Sequence, residues 1–296
     1  MMVRSTGLAH GDFGRVALLD MEDGLIRHAH PHCHLILKLD GPDQEFEVDG
    51  ALAPLRRDMV VLVNSWQPHR YVPRADGRRS RFVALYIDPA WIGGLDRTRF
   101  DHAASRRFLR CAMPITPAQG RLRDDLADAL SAPAISNGGS IETLTARLLA
   151  GLLHHQLRDE RWVASPDASR SVDFRIRRTV RAMGDAMVRS DADLDRFARI
   201  AGLSRPRFNE LFRLGVGVSP GLYLRARTVE MALKFLVEER RKVHAVAETL
   251  GFSAPENFTR FMRLHTGMVP KDLRRLALDN VSRAADGLVV RQSVGV

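Results

Sequence analysis

The segment "GFSAPENFTRFMRLHTGMVP", residues 251–270, decides the fold predicted for the C-terminal third of the chain. Gly251 can adopt the positive φ that reverses the chain after a preceding helix. Pro255 suits the first turn of the next helix, because the N–H that proline lacks is not needed there. Ser253 and Glu256 have the S-x-x-E spacing of a capping box. The segment therefore predicts a turn and then a helix that ends at a second glycine.

The same pattern occurs a second time in the chain. The segment "AGLSRPRFNELFRLGVGVSPGLYLR" (201–225) matches residues 250–274 at an offset of 50, which slips to 49 at the first glycine. A short amphipathic helix precedes each copy, which completes the helix-turn-helix plan. Between the copies, residues 219–239 predict a helix about 30 Å long. Because ~34 Å separates successive major-groove faces of a duplex, two recognition helices are predicted to enter adjacent grooves.

The outward faces of the two recognition helices carry side chains suited to DNA. Arginine can bond guanine, asparagine can bond adenine, and glutamate can accept a hydrogen bond from cytosine. Arg205, at a helix start, is expected to grip phosphate. Ordinary solvated helix faces are the alternative explanation. The predicted DNA contacts are Arg205, Arg207, Asn209, Glu210 and Arg213 in the first helix and Glu256, Asn257, Thr259, Arg260 and Arg263 in the second.

The charge of the chain is unevenly distributed. The formal net charge is +10. Residues 171–278 carry 21 Lys and Arg against 12 Asp and Glu, whereas residues 1–170 carry 22 against 21. This asymmetry indicates a polyanion-binding domain joined to a nearly neutral one. A basic protein that binds nucleic acid without sequence preference is the alternative.

The N-terminal part has the pattern of a β domain. Residues 25–90 contain short apolar stretches separated by turn sequences, which predict a small antiparallel barrel or sandwich. Helical patterns follow at 118–131 and 140–160. The predicted fold class is α+β multidomain, with an N-terminal antiparallel β-barrel, flanking helices and a C-terminal all-α domain of about seven helices. The predicted divisions are 1–162 for the first domain, 163–171 for a linker, 172–279 for the second domain and 280–296 for a tail.

On the two copies quoted above, the stretch from about 173 to 278 resembles the tandem helix-turn-helix domain of AraC/XylS-type bacterial transcription regulators. One departure is Glu210, where the family usually has arginine or lysine. The resemblance implies a transcription regulator that binds a double-stranded DNA operator. It further implies that the protein activates transcription by contacting RNA polymerase and that it is not an enzyme. It also implies a homodimer and a cupin-like N-terminal domain that senses a small-molecule effector.

A His-rich first strand, a D-G turn and a P-H pair carry the cupin-like resemblance. The four histidines between 28 and 34 alternate, so they share one face if the segment is a strand. Three of them could hold a divalent ion as neutral imidazoles, which would favour a metal-dependent cupin enzyme with a DNA-binding appendage. A barrel with no ligand is a further alternative, and no metal or cofactor is predicted. Following the family, the predicted effector pocket contains His32, His34, Trp66 and His69.

A turn rich in arginine, "RADGRRSR" (74–81), is a second candidate effector site. Guanidinium groups bind phosphate in bidentate fashion, so the turn could grip an anionic nucleotide second messenger. A solvated loop is the alternative. The predicted ligand contacts are Arg74, Arg78 and Arg79.

The helix predicted at 140–160 has a continuous apolar stripe. Family members commonly pair through such helices, so the stripe is a candidate dimer interface. Packing of the same stripe against the barrel is the alternative. The predicted dimer contacts are Leu144, Leu148 and Leu152.

The cellular location is also predicted from the sequence. Two cysteines, Cys33 and Cys111, fit a reducing compartment rather than a disulfide scaffold. No apolar run approaches the roughly 18–20 residues that span a bilayer, and the N-terminus lacks an apolar signal-peptide core. We expect a cytoplasmic protein that has no membrane partner and joins the nucleoid when bound to DNA.

Overall fold

Two antiparallel β-sheets form the N-terminal domain in this computed structural model. The structure describes residues 4–73, 77–95, 108, 110–131, 140–157, 172–185 and 191–276. The strands are β1 (Arg4–Gly11), β2 (Gly14–Met21), β3 (Cys33–Asp40), β4 (Gln44–Val48), β5 (Ala51–Leu55), β6 (Met59–Val63), β7 (His69–Val72), β8 (Ser80–Ile87) and β9 (Ala112–Pro114). The larger sheet has the order β1-β2-β8-β3-β6-β9, and the smaller has the order β5-β4-β7.

The central strands β3 and β8 are buried on both faces, which explains their almost continuously apolar sequences. They pair antiparallel with Leu35 opposite Leu85. Ile36 and Phe82 belong to a core shared with the smaller sheet, whereas Leu35 and Leu85 belong to a second core on the opposite face. The predicted antiparallel sheet domain is therefore confirmed.

Helices cover the outer face of the larger sheet. They are α1 (Pro89–Leu95), α2 (Pro117–Ser131) and α3 (Ile141–Leu157). Leu144, Leu148 and Leu152 of α3 are at most 1% exposed within the single chain. They share a core with Leu126 of α2 and Leu35 of β3. The predicted dimer contact through these three leucines is wrong, because the sheet and α2 already cover the stripe.

The described part of the C-terminal domain is helical. Its helices are α4 (Phe174–Asp185), α5 (Asp191–Ala201), α6 (Arg205–Val216), α7 (Pro220–Leu233), α8 (Val243–Thr249) and α9 (Pro255–Thr266), followed by a helical segment at 270–276. A π-helical turn, Lys234–Glu238, continues α7, so the rod between the two copies is about 28 Å long. The predicted all-α domain of about seven helices is confirmed.

The two copies of the repeated unit have matching structures. The helices α6 and α9 each contain 12 residues. Each ends at a left-handed glycine, Gly217 with φ 90° and Gly267 with φ 73°. The preceding turns also contain left-handed glycines, Gly202 with φ 66° and Gly251 with φ 59°. Because a side chain disfavours these conformations, the glycines explain why the repeat is visible in the sequence.

The start of α9 differs from the prediction. The N-cap residue is Ala254, and no side chain caps the helix. The Asn257 side-chain amide instead donates to Ser253 Oγ at 3.0 Å. The predicted capping box of Ser253 and Glu256 is wrong, because the helix begins at Pro255 and Ser253 lies one residue too early.

Some predicted features fall outside the described residues. These include the linker at 163–171 and the tail at 280–296, so the domain boundaries stay predictions. Among the residues that the structure describes, no helix is both long enough and apolar enough to cross a membrane.

Candidate functional site

The recognition helices α6 and α9 bury one face and expose the other. Phe208 and Phe212 of α6, and Phe258 and Met262 of α9, are fully buried. The opposite faces hold all ten predicted DNA contacts. Seven of these are exposed, namely Arg207, Glu210, Arg213, Glu256, Asn257, Arg260 and Arg263, and three are half-buried, namely Arg205, Asn209 and Thr259.

Ion pairs distinguish the two recognition helices. On α6, Arg207 Nη1 lies 2.7 Å from Glu210 Oε2, and Arg205 Nη1 lies 2.5 Å from Asp195 Oδ1 of α5. The Glu210 carboxylate is therefore paired with an arginine of its own helix. On α9, neither Arg260 nor Arg263 forms a salt bridge with another described residue. The second recognition helix thus presents two arginines that form no ion pair with a described residue, together with the exposed carboxylate of Glu256.

A buried ion pair joins the two domains. Arg15 of β2 donates to both carboxylate oxygens of Glu230 on α7, at 2.9 and 3.1 Å. The Arg15 guanidinium also lies over the Tyr86 ring, 4.2 Å from its centroid. Burial alone would raise the pKa of Glu230, but Arg15 outweighs burial and holds that pKa below its ordinary value. A bidentate pair in such a site constrains orientation as well as distance.

An aromatic stack forms a second contact between the domains. Trp66, in the turn before β7, stacks on Tyr223 of α7 with ring centroids 4.6 Å apart and an interplanar angle of 27°. Trp66 has a positive φ of 61°, which is unfavourable for a bulky residue. The rod that joins the two helix-turn-helix units is therefore held against the sheet domain at both Glu230 and Tyr223.

A cavity lies between the sheet domain and helices α7 and α9. Water-sized molecules can occupy about 50 Å³ of it, and the whole recess, including the solvent at its open mouth, measures about 690 Å³. Apolar side chains such as Leu8, Leu19 and Val229 form much of the wall. The polar lining residues are Arg15, His28, His30 and Tyr86 from the sheet domain and Arg225, Glu230, His265 and Thr266 from the helices.

None of the four side chains predicted for the effector pocket lines this cavity. His34 and His69 are buried next to the lining residue His30. Trp66 packs on α7, and His32 Nδ1 lies 3.7 Å from Glu230 Oε1. The sequence drew attention to clustered histidines, whereas Arg15 is a lone arginine in a β-strand with no motif around it. Its importance becomes visible only from its ion pair with Glu230, which lies 215 residues further along the chain.

The arginine-rich turn is only partly described. Arg74 lies outside the described residues. Arg78 is exposed. Arg79 Nε donates to Asp20 Oδ1 at 2.8 Å, and Arg79 Nη1 lies 3.6 Å from Glu22 Oε2. Two carboxylates thus already engage Arg79, which weakens its attraction for a phosphate.

Four histidine rings form a cluster next to the cavity. The ring centroids of His28 and His69 are 4.3 Å apart, those of His30 and His69 are 4.9 Å apart, and those of His30 and His34 are 5.1 Å apart. In each ring, Nδ1 lies 2.9–3.0 Å from a backbone carbonyl oxygen. Because a carbonyl oxygen only accepts, Nδ1 carries the proton and Nε2 keeps its lone pair.

The histidines in and beside this cluster are neutral at pH 7. Burial lowers the pKa of His30 and of His69 well below the ordinary value, and the neighbouring imidazoles lower both further. Burial likewise lowers the pKa of His34 to about 3. Burial and the nearby Arg15 lower the pKa of His32 to about 4.

Acidification should destabilise the metal-free protein. The unfolded chain binds protons at His32 and His34 below about pH 6.5, but the folded chain does not until about pH 4 and 3. The contribution of these two neutral histidines to the free energy of unfolding is therefore fully present above about pH 6.5 and is lost as the pH falls. Between pH 7 and 5 we expect a loss of about 2 kcal/mol for each of the two. Urea denaturation at both pH values measures it.

The variant His34→Gln should remove one of these contributions and flatten the pH dependence, whereas the same change at the exposed His244 should leave it intact. An unfolding midpoint that stays constant from pH 7 to 5 would contradict the neutral buried state.

Two family models match the chain. The model of the AraC-like ligand binding domain matches residues 13–162, and the model of a helix-turn-helix domain matches residues 197–276. The probable transcriptional regulator LumQ of Photobacterium leiognathi is 23% identical over 256 residues, which cover 86% of this chain and 94% of LumQ.

Solved structures of ToxT from Vibrio cholerae have a similar fold. ToxT bound to (E)-4-(8-methylnaphthalen-1-yl)but-3-enoic acid superposes with a TM-score of 0.59 at 10% identity, covering 92% of this chain and 99% of that one. ToxT with an unsaturated fatty acid bound has a TM-score of 0.55 at 11% identity, with 90% and 94% covered. At these identities the likeness establishes the two-domain fold alone.

Proposed function

Since the chain belongs to the AraC family of transcription regulators, with an N-terminal ligand-binding domain and a helix-turn-helix DNA-binding domain, we propose that a small molecule in the interdomain cavity controls its DNA binding. The observation that carries the proposal is the cavity itself, whose walls come from both domains. A ligand there touches the sheet domain and α7, the rod between the two recognition helices. It also touches His265 of α9, two residues beyond the predicted DNA contact Arg263.

The lining indicates the chemical class of the ligand. Apolar walls favour a hydrocarbon or aromatic body, and the guanidiniums of Arg15 and Arg225 favour an anionic group. The proposed effector is therefore an amphipathic carboxylate. The ligands bound to ToxT, an unsaturated fatty acid and an aryl butenoic acid, belong to this class and support the proposal.

The size of the cavity supports a mechanism. Water-sized molecules can occupy only about 50 Å³ of the recess, which corresponds to a few water molecules, so a larger ligand is expected to displace α7 from the sheet domain. A ligand carboxylate that binds Arg15 takes the place of Glu230 and removes the bond that holds α7. The effector thus frees the rod, and the two recognition helices can then adopt the spacing that DNA requires.

Calorimetric titration of the purified protein tests this function. The probes are fatty acids of graded chain length, aryl-substituted butenoic acids and the matching alcohols. We expect binding by carboxylates and not by alcohols, loss of binding in Arg15→Ala, and unchanged binding in the exposed control Arg56→Ala. Nucleotides belong in the same panel, because the alternative site at Arg78 and Arg79 predicts that they bind. No heat with any carboxylate would refute the proposed effector class.

The ten predicted DNA contacts remain a proposal, which Arg260→Ala tests. If Arg260 contacts a base, its loss should weaken operator binding by about 1–3 kcal/mol, roughly 5- to 150-fold, and relax specificity at one position. Genome-wide footprinting with the purified protein first supplies the operator, and gel-shift titration then measures the change. The exposed Arg121 of α2 is the matched control, since its replacement by alanine should change nothing. Equal weakening on operator and random DNA would make Arg260 a phosphate contact.

We further propose that the protein activates transcription through RNA polymerase, works as a homodimer and catalyses no reaction. The family resemblance supports each of these points. In-vitro transcription from a footprinted promoter, with and without the carboxylate effector, distinguishes activation from repression. Sedimentation of the protein on its operator gives the number of copies bound.

A further inference from the structure

We propose that His28, His30 and His69 form a three-histidine site for one divalent transition-metal ion of the zinc class, at the wall of the interdomain cavity. One potential ligand nitrogen from each residue lies within 4.8 Å of those of the other two. The proposal is independent of the effector mechanism, because it rests on the imidazoles and not on the Arg15–Glu230 pair.

The backbone holds two of the three histidines in register. His28 and His69 form an isolated antiparallel bridge, with the His28 N–H donating to the His69 carbonyl at 2.9 Å and the reverse bond at 2.8 Å. The His30 carbonyl accepts from the Trp66 N–H at 2.8 Å. Residues from two separate chain segments are thus fixed on one another by main-chain bonds, which preorganises the site before any ion arrives.

The hydrogen bonds of the rings are those of metal-binding imidazoles. Each of the three Nδ1 atoms donates to a backbone carbonyl, at 2.9 Å for His28, 3.0 Å for His30 and 2.9 Å for His69. Metal-ligating histidines almost always donate their other ring N–H in this way, which fixes the tautomer and the ring orientation. The Nε2 atom of each ring is therefore the nitrogen that is ready to bind.

Two of these Nε2 atoms are buried and have no hydrogen-bond partner among the described residues. The Nε2 atoms of His30 and His69 are inaccessible to solvent and have no hydrogen-bond partner within the described parts of the chain. Buried polar atoms are almost always satisfied, and each exception calls for an explanation such as an ion. A metal ion bound by the Nε2 lone pairs of His30 and His69 would give both buried nitrogens a partner.

The donor set selects the metal. Neutral imidazoles suit zinc, copper, iron and nickel, whereas calcium and magnesium prefer oxygen. Metal–nitrogen bonds of 2.0–2.1 Å in a tetrahedron place the nitrogens about 3.3 Å apart, so the present separations of up to 4.8 Å must shorten by at most about 1.5 Å. His28 is only half-buried and lines the cavity with His30. Three protein ligands leave a fourth position for water or a ligand group from the cavity.

Metal titration of the full-length protein tests the site. After treatment with a chelator, the protein is titrated with Zn²⁺ in competition with a chromogenic chelator and with Co²⁺ as a spectroscopic probe. We expect one ion per chain, visible Co²⁺ absorption of a four- or five-coordinate site, and a higher urea midpoint with Zn²⁺. His28→Ala, His30→Ala and His69→Ala should each lower the affinity at least about 100-fold, because even losing a supporting bond costs 10- to 100-fold.

The exposed His244 provides the control, and His244→Ala should bind Zn²⁺ as the parent does. Because the buried positions are sensitive to change, His28→Ala, at the half-exposed edge, is the variant expected to keep its circular dichroism spectrum. Wild-type protein that binds less than one tenth of an equivalent, or a folded His28→Ala that binds as tightly as wild type, would overturn the proposal.

Discussion

Replacing Leu148 by lysine should destabilise the N-terminal domain by about 4–5 kcal/mol. Leu148 is fully buried beneath α2 and the larger sheet. Removing a buried leucine side chain costs 2–5 kcal/mol, and placing an unpaired ammonium in the same space adds to that cost. Urea denaturation followed by circular dichroism measures the loss.

The control for this prediction is Leu52→Lys in β5, because the Leu52 side chain is 60% exposed. That variant should keep the wild-type midpoint within about 0.5 kcal/mol. The pair of variants also distinguishes the two explanations of the α3 stripe. A Leu148→Lys protein that keeps the wild-type urea midpoint and changes only its sedimentation mass would support the dimer interface and contradict the packing of α3 on α2 and the larger sheet.

Replacing Glu230 by alanine should undock the two domains. The Arg15 and Glu230 side chains are only 17% and 15% exposed, and breaking a buried pair on one side costs roughly 3–5 kcal/mol because a charge is left unpaired. The chain can limit that cost by separating α7 from the sheet domain, which returns Arg15 to water. Trp66 then leaves Tyr223, so tryptophan fluorescence and sensitivity to limited proteolysis should both change.

A double-mutant cycle separates the interaction energy between Arg15 and Glu230 from the other effects of removing each side chain. If the contact is direct, Arg15→Ala combined with Glu230→Ala should cost less than the sum of the single changes by about 1–3 kcal/mol. The exposed Glu248 of α8 offers the matched control, and Glu248→Ala should leave fluorescence and proteolysis unchanged. Additive single changes would show that the ion pair does not hold the domains together.

The same variant connects the docking to regulation. If α7 must leave the sheet domain before DNA binds, Glu230→Ala should bind the operator without effector more tightly than wild type does. Weaker operator binding would show that the docked arrangement is the active one. Either result leaves the metal site untouched, since no proposed ligand contacts Glu230.

Much of the fold could be predicted because its signals are local. The 50-residue repeat is visible in the sequence because a left-handed turn needs glycine at positions such as Gly202 and Gly251. Short apolar runs within residues 25–90 predicted the strands from β3 to β8, whereas β1, β2 and β9 lie outside the predicted range. The capping box failed, although it is also local, because the sequence did not show that α9 starts at Pro255 rather than one residue earlier.

The candidate site was predicted less well. Histidine clustering was visible, but not which rings converge: His28, His30 and His69 do, whereas His32 turns towards Glu230. The α3 stripe was visible too, but an apolar face does not say whether another copy or the same chain covers it. Leu144 and its neighbours are covered by α2 and the sheet, and only the packing of whole elements determines that.

The sequence by itself thus determined the two helix-turn-helix units, their connecting rod and the β character of the first domain, since each depends on residues within a few turns of one another. Tertiary structure alone decided where α7 docks, where the cavity opens and which imidazoles meet. Those features depend on contacts such as Arg15 with Glu230, and no local pattern encodes a contact between residues so far apart in the chain.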